Sequence, residues 1–242
     1  MNIKKCLWLF FLCFLSAPSI QAQRNYIDIP NYILCINSYA ESTPWSTRMI
    51  STISEYVQKD PQLALYAEHM NTFMIDNDSI LKEFKNMLSQ KYTQPHPRLL
   101  VLLGSPAFTL RDEYRKLWGD IPIILCSEEA FQGPHEAYLQ KQAIKSEDRT
   151  PIAQFAEPYN MVFLYSNLYL RENVQLINHI KSNIKKFIFI GDEREINLSA
   201  SLDIQNELKT KYPKIEYQFL TPQKMTTNQL LDSLYRVDPQ TT

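Results

Sequence analysis

Glycine is scarce in this chain, with four among 242 residues, at Gly104, Gly119, Gly133 and Gly191. No two of them have the spacing of a P-loop or a dinucleotide fingerprint, which excludes both phosphate-binding motifs. The four histidines are also far apart, so no local zinc motif exists. A formal net charge of −1 provides no basic face, and we expect no nucleic-acid partner. The residues therefore predict no cofactor, no metal and no catalytic motif, and they leave open whether a longer protein containing this chain is an enzyme.

The first 22 residues have the pattern of a secretory signal peptide. Lys4 and Lys5 precede an apolar run, 6–15, and small and polar residues follow as far as Ala22. The apolar run has about 10 residues, whereas a bilayer span needs roughly 20. We expect export to the periplasm, as a free protein or as the periplasmic part of an inner-membrane protein. An uncleaved anchor is the alternative reading.

Two cysteines, Cys35 and Cys126, remain after removal of the signal peptide. Export places them in an oxidising compartment, where disulfides form. Both lie in apolar runs that predict buried strands, and a doubly wound sheet would place a third strand between them. Two strand spacings are roughly 9–10 Å, which exceeds the ~7 Å limit for a disulfide. We therefore predict two buried free thiols.

Short apolar runs alternate with helical stripes along the chain. The runs predict strands at 33–36, 63–69, 99–103, 121–126, 161–165, 187–190 and 215–220. Between them, apolar residues recur at helical spacing. Asp76 or Asp78 is a candidate N-cap for the second helix, and Thr226 with Gln229 predicts a capping box for the last.

This alternation predicts an α/β fold with two Rossmann-like lobes, each built on a parallel sheet. Residues 131–159 contain one glycine and three prolines and lack periodicity, so they form a connecting region between the lobes. We expect the first lobe at 23–130 and the second at 160–242. The second pattern stops after a helix, where another strand should follow, so we expect its sheet to be incomplete.

Three segments resemble a known family. They are the strand and turn at 33–39 followed by Pro44-Trp45, the segment 120–126 with its Pro-Ile-Ile step, and the strand 185–192. Together they resemble periplasmic substrate-binding-protein-like sensor domains, members of the ABC-type substrate-binding family. Such domains occur at the N-terminus of membrane sensor histidine kinases, often hybrid two-component proteins, and as free binding proteins of importers. The resemblance covers roughly residues 31 to 220.

The candidate site residues follow from the strand positions. Open α/β sheets bind ligands beyond the carboxyl ends of their strands. In the first lobe these ends supply Asn37, Ser38, Tyr39, Gly104, Ser105, Ser127 and Glu128. Their counterparts in the second lobe are Ser166, Asn167 and Asp192, and Trp45 is an additional stacking candidate.

Each candidate also has a purely structural interpretation. The polar residues are of the types that form turns and N-caps, and Trp45 has the spacing of a core residue at a helix start. The pair Glu128-Glu129 has no nucleophile nearby in sequence, which favours a solvated loop.

The resemblance implies an extracytoplasmic domain that senses a small molecule by lobe closure and signals through a sensor histidine kinase. A solute-binding protein of an ABC-type importer is the alternative. We expect a small polar organic ligand, a sugar or an amino-acid derivative, and a membrane kinase module or an ABC permease as partner. Homodimerisation is left open.

Overall fold

A computed structural model of the chain describes residues 31–238 and 240–242. The signal peptide predicted at residues 1–22 lies outside this range. None of the helices in the described part is long and apolar enough to cross a membrane.

The larger of two parallel sheets has five strands. They are β1 (Tyr32–Asn37), β2 (Ala64–His69), β3 (Leu99–Leu103), β4 (Ile123–Ser127) and β7 (Met161–Tyr165). Their order in the sheet is β2-β1-β3-β4-β7, with every neighbouring pair parallel. This is one of the two common doubly wound orders, so the predicted α/β class is confirmed.

Helices cover both faces of this sheet. Alternate residues of each strand point to opposite faces, so the buried strands present apolar side chains on both of them. On one face Cys35 and Val101 pack against α1 (Pro44–Val57), through residues that include Trp45. On the other face the apolar side chains of β1, β3 and β4 contact three helices: α2 (Asp78–Lys91), α3 (Ser105–Phe108) and α4 (Arg111–Trp118). Asn77, between the two predicted candidates, caps α2.

The smaller sheet has two parallel strands, β8 (Lys186–Ile190) and β9 (Glu216–Leu220). Two helices, α6 (Leu170–Ile180) and α7 (Glu195–Lys211), share a core with it around Val174, Ile204 and Leu208. The last helix, α8 (Thr227–Tyr235), begins with the capping box predicted at Thr226 and Gln229.

The boundary predicted between the lobes needs a correction. The sequence pattern predicts the strand at 161–165 in the second lobe, but β7 pairs with β4 from Ile123↔Met161 to Ser127↔Tyr165 and completes the first sheet. The first sheet thus has five strands instead of four, and the second sheet begins at Lys186. The segment between β4 and β7 contains a short antiparallel pair of strands, β5 (Phe131–Gln132) and β6 (Thr150–Pro151). The short helix α5 (His135–Leu139) lies between them in the chain.

The connecting segment is fastened to α7 by polar contacts. Arg149 forms a two-pronged ion pair with Asp203, with both N···O distances 2.9 Å. The backbone N–H of Ile144 donates to Ser199 Oγ at 2.9 Å. Charge-assisted bidentate pairs fix geometry as well as adding energy. These contacts therefore set how α7 sits against the end of the first sheet.

Both cysteines are free and buried, and β3 separates their strands as the sequence predicted. Burial raises the pKa of the Cys35 thiol to about 12, so it is a poor nucleophile while the protein is folded. We expect alkylation at neutral pH to leave both residues unmodified in the native protein. After unfolding without a reductant, peptide mapping should recover both as alkylated peptides. Recovery of a Cys35–Cys126 disulfide peptide would contradict the strand order.

Candidate functional site

Five predicted site residues are buried behind the strand ends and support the loops there: Asn37, Ser38, Gly104, Ser105 and Ser127. Asn37 Oδ1 accepts from the backbone N–H of Tyr39 at 3.1 Å, and Asn37 Nδ2 lies 2.9 Å from His69 Nδ1. Ser38 Oγ accepts from the N–H of Ala107 at 2.8 Å and donates to the carbonyl of Gly104 at 3.2 Å. Ser105 and Ser127 are also buried. The polar atoms of Asn37 and Ser38 are thus engaged within the protein, where they hold the loops in place.

Gly104 is the point of closest approach in this support. Its φ of +88° lies in a region that L side chains rarely adopt. A Cβ atom added there would lie 2.9 Å from both Ser38 Oγ and Tyr39 Oη. The absence of a side chain at Gly104 is therefore what lets the Tyr39 ring pack over the end of β3.

Tyr39 links the first sheet to the second. Its ring packs edge-on against Trp45, with 5.8 Å between ring centroids, and Trp45 also packs against the core of the first sheet, as its structural interpretation expects. The Arg194 guanidinium group lies over the face of the Tyr39 ring, 5.4 Å from the ring centroid. Arg194 is held by Asp192, whose carboxylate accepts from Arg194 Nε at 2.8 Å. A cation over an aromatic face is an attractive contact between the lobes.

Tyr39 and Arg194 border an open cleft of about 400 Å³, here called the strand-end cleft. Residues that follow four different strands line it. They are Tyr39 and Ser42 after β1, Thr72 after β2, Asp192 and Arg194 after β8, and Gln223 after β9. Hydroxyl, amide and charged groups from both sheets thus face one space.

A second open cleft of about 650 Å³, here called the acidic cleft, lies beyond the ends of β4 and β7. Its walls include Glu128, Glu129 and Asn167 from the strand ends of the first sheet. They also include Arg149 and Asp203, the ion pair that joins the connecting segment to α7. Two of the predicted residues, Glu128 and Asn167, are among them. Ser166 is exposed, and its N–H donates to the carbonyl of Ser127.

The solvated loop expected at Glu128-Glu129 is wrong for Glu129, which is only 5% exposed. Its Oε2 accepts from Ser105 Oγ at 2.5 Å, and its backbone N–H donates to Ser127 Oγ at 3.1 Å. Glu129 Oε1 is buried and has no hydrogen-bond partner in the described part of the chain. The loop turns inward because Ser105 and Ser127 hold Glu129 at both its side chain and its backbone.

Burial raises the pKa of three carboxyl groups at this junction. Desolvation, with the nearby Glu195 adding repulsion, raises the pKa of Glu129 to about 8. Desolvation raises the pKa of Glu195, the first residue of α7, to about 7. Glu128 is only partly buried, and its pKa is raised less because Arg194 and a hydrogen bond from Tyr39 favour its charged form. The junction therefore exchanges protons near neutral pH.

Sequence reasoning interpreted Glu129 as solvated and missed Arg149, Arg194 and Glu195. Arg194 lies four residues past the end of β8, so a wider window after each strand would have included it. Arg149 pairs with a residue 54 positions away, and no local pattern signals such a contact.

Within residues 31–238 and 240–242, no group of three or more His, Cys, Asp or Glu side chains is arranged to hold a metal ion. The chain matches no family model, no curated protein and no solved structure.

Proposed function

We propose that this chain is a ligand-binding domain that takes a small polar organic molecule, a sugar or an amino-acid derivative, into the strand-end cleft. The observation that carries the proposal is the convergence of four parallel-strand ends from two sheets on one space of about 400 Å³. Strand ends in one sheet place loops side by side, and a cleft between two sheets lets a ligand bridge them. The proposed ligand contacts Tyr39 from one side and Arg194 from the other.

The chemistry of this cleft favours a ligand with several polar groups. The hydroxyl groups of Ser42 and Thr72 and the amide of Gln223 are donors and acceptors at its rim. Tyr39 is only 6% exposed, because Trp45 and Arg194 cover its ring, so it forms part of the cleft wall and positions Arg194 beside the ligand. Tyr39 is already held by Trp45 and by the Gly104 loop, so little ordering is needed on binding, which favours affinity.

We propose further that ligand binding shifts an open–closed equilibrium between the two sheets, and that a membrane sensor histidine kinase responds to this shift. A ligand held from both sides binds the closed form better and therefore shifts the population towards it. The resemblance of 33–45, 120–126 and 185–192 to extracytoplasmic sensor domains supports this assignment. The coding sequence after Thr242 tests it. A membrane span and a kinase domain would support the sensor, and a stop codon would favour delivery to an importer.

A thermal-shift screen of sugars and amino-acid derivatives tests the binding site. At 100 times its dissociation constant, a true ligand should add about 2.7 kcal/mol of stability. Ser42→Trp places a bulky side chain in the cleft from an exposed position and should abolish the shift. The matched control Ser51→Trp, exposed on α1 and outside the cleft lining, should keep it. Hits that stabilise both variants equally would place the ligand elsewhere.

A further inference from the structure

The acidic cleft contains a buried acceptor that no group within residues 31–238 and 240–242 satisfies. Among these residues Glu129 Oε1 has no hydrogen-bond partner, although the side chain is more than nine-tenths buried and lines the cleft. Unpaired buried acceptors are costly and uncommon in folded proteins. The other oxygen, Oε2, is fixed by Ser105, so the carboxyl group cannot turn away to find a partner without losing that bond.

The charges around this acceptor are unevenly paired. The cations of the cleft are already engaged: Arg149 pairs with Asp203, while Arg171 and Lys211 both pair with Glu207. Arg194 and a hydrogen bond from Tyr39 partly compensate Glu128, whereas Glu129 forms no ion pair among the described residues. The free capacity of the cleft is therefore for hydrogen-bond donors and positive charge.

We propose that the acidic cleft is a second binding site, separate from the strand-end cleft, which takes a small organic cation and binds its protonated amine at Glu129 Oε1. An ammonium group has three N–H donors and no acceptor, so it satisfies Oε1 without bringing an acceptor of its own into the cleft. Hydrogen bonds to a charged donor are shorter and stronger than neutral ones. A neutral hydroxyl of the same size lacks the charge that would stabilise the Glu129 carboxylate, so it displaces no proton and forms only the weaker, neutral hydrogen bond.

Proton release accompanies this binding. Burial keeps Glu129 mostly protonated at pH 7, since its pKa is raised to about 8. An ammonium group beside it favours the carboxylate and lowers that pKa. Amine binding at pH 7 therefore displaces a proton from Glu129 into the buffer.

Isothermal titration at pH 7 with 1,4-diaminobutane, and with 1,4-butanediol as the uncharged match, tests the site. We expect the diamine to bind and the diol to show no measurable heat of binding. In buffers of different ionisation enthalpy, the diamine's apparent binding enthalpy should change in the direction of proton release. Glu129→Gln should weaken diamine binding by about tenfold or more and abolish the buffer dependence. Gln is close in size to the protonated glutamic acid it replaces, and thermal unfolding of the variant checks that it folds.

Two further variants locate the site. Glu172→Gln removes an exposed acid from the same cleft and should change diamine affinity by less than about twofold, because exposed charges contribute little. Ser42→Trp blocks the strand-end cleft and should leave diamine binding unchanged. Absence of diamine binding, equal binding of the diol, or wild-type binding and proton release in Glu129→Gln would each overturn the proposal. Loss of diamine binding in Ser42→Trp would move the amine to the strand-end cleft and overturn the separate site, without counting against the proposed function.

Discussion

Raising the pH from about 5 to about 8 should lower the free energy of unfolding by about 1.4 kcal/mol per pH unit through Glu129 alone, roughly 4 kcal/mol in total. The pKa of this carboxyl is 4.5 in its ordinary environment and about 8 in the folded protein. Between these values the folded state holds the proton and the unfolded chain does not. The stabilisation from this bound proton is therefore complete below the ordinary pKa of 4.5 and is lost as the pH rises through the pKa of about 8 in the folded protein.

Glu129→Gln should remove most of this pH dependence, because the amide is neutral at every pH in the range. Urea unfolding at several pH values measures it, and the variant should be more stable than the wild type above pH 8. A smaller dependence should remain from Glu195, whose pKa is raised to about 7. Glu172→Gln, at an exposed position, should behave as the wild type. Parallel stability curves for Glu129→Gln and wild type would contradict the burial of this carboxyl.

Gly104→Ala should destabilise the protein more than Gly119→Ala, by about 2 kcal/mol or more. Both glycines have positive φ, +88° and +74°, so alanine strains the backbone at either position by about 1–3 kcal/mol. Only at Gly104 does the new methyl group meet neighbours, Ser38 Oγ and Tyr39 Oη, both at 2.9 Å. At Gly119 no atom of the described residues lies within 4 Å of the added methyl group.

The difference between the free energies of unfolding of the two variants therefore measures the contact that holds Tyr39 in place. Urea unfolding gives both free energies under the same conditions. Gly104→Ala should also abolish the ligand-induced thermal shift, whereas Gly119→Ala should keep it. Equal losses of stability with ligand binding retained in both would show that Tyr39 does not depend on this close approach.

The local structure was predictable because it depends on local patterns. The strands at 99–103 and 161–165 have the predicted bounds, and the capping box at Thr226 is present as expected. The sheet that contains 161–165 was not predictable, because an apolar run shows that a strand is buried but not which strand it pairs with. The long irregular segment before it suggested a new lobe, yet the chain returns to the edge of the first sheet.

The candidate site, like the fold, was predictable only in the features that depend on local sequence. The strand-end rule selected its residues for one site, but in the structure Tyr39 and Asp192 line the strand-end cleft, whereas Glu128 and Asn167 line the acidic cleft. It also selected Ser38 and Ser105, whose hydroxyl groups are engaged with Gly104 and Glu129. Sequence position cannot distinguish a hydroxyl that faces a ligand from one that supports the loop beside it, because the same residue types do both.

The burial of Glu129 could not be predicted for a different reason. Two adjacent glutamates after a strand are usually solvated, and charged residues are almost never fully buried without a partner. Its burial depends on Ser105, 24 residues away, and on the packing of α7 against the connecting segment through Arg149 and Asp203. Contacts between distant segments of this kind are set by the tertiary structure.

A crystal structure of the protein with the strongest hit from the thermal-shift screen tests the central claim most directly. The account predicts density for the hit in the strand-end cleft, in contact with Tyr39 from the first sheet and with Arg194 or Gln223 from the second. Density for the hit at any other position, with the strand-end cleft holding only water, would contradict it.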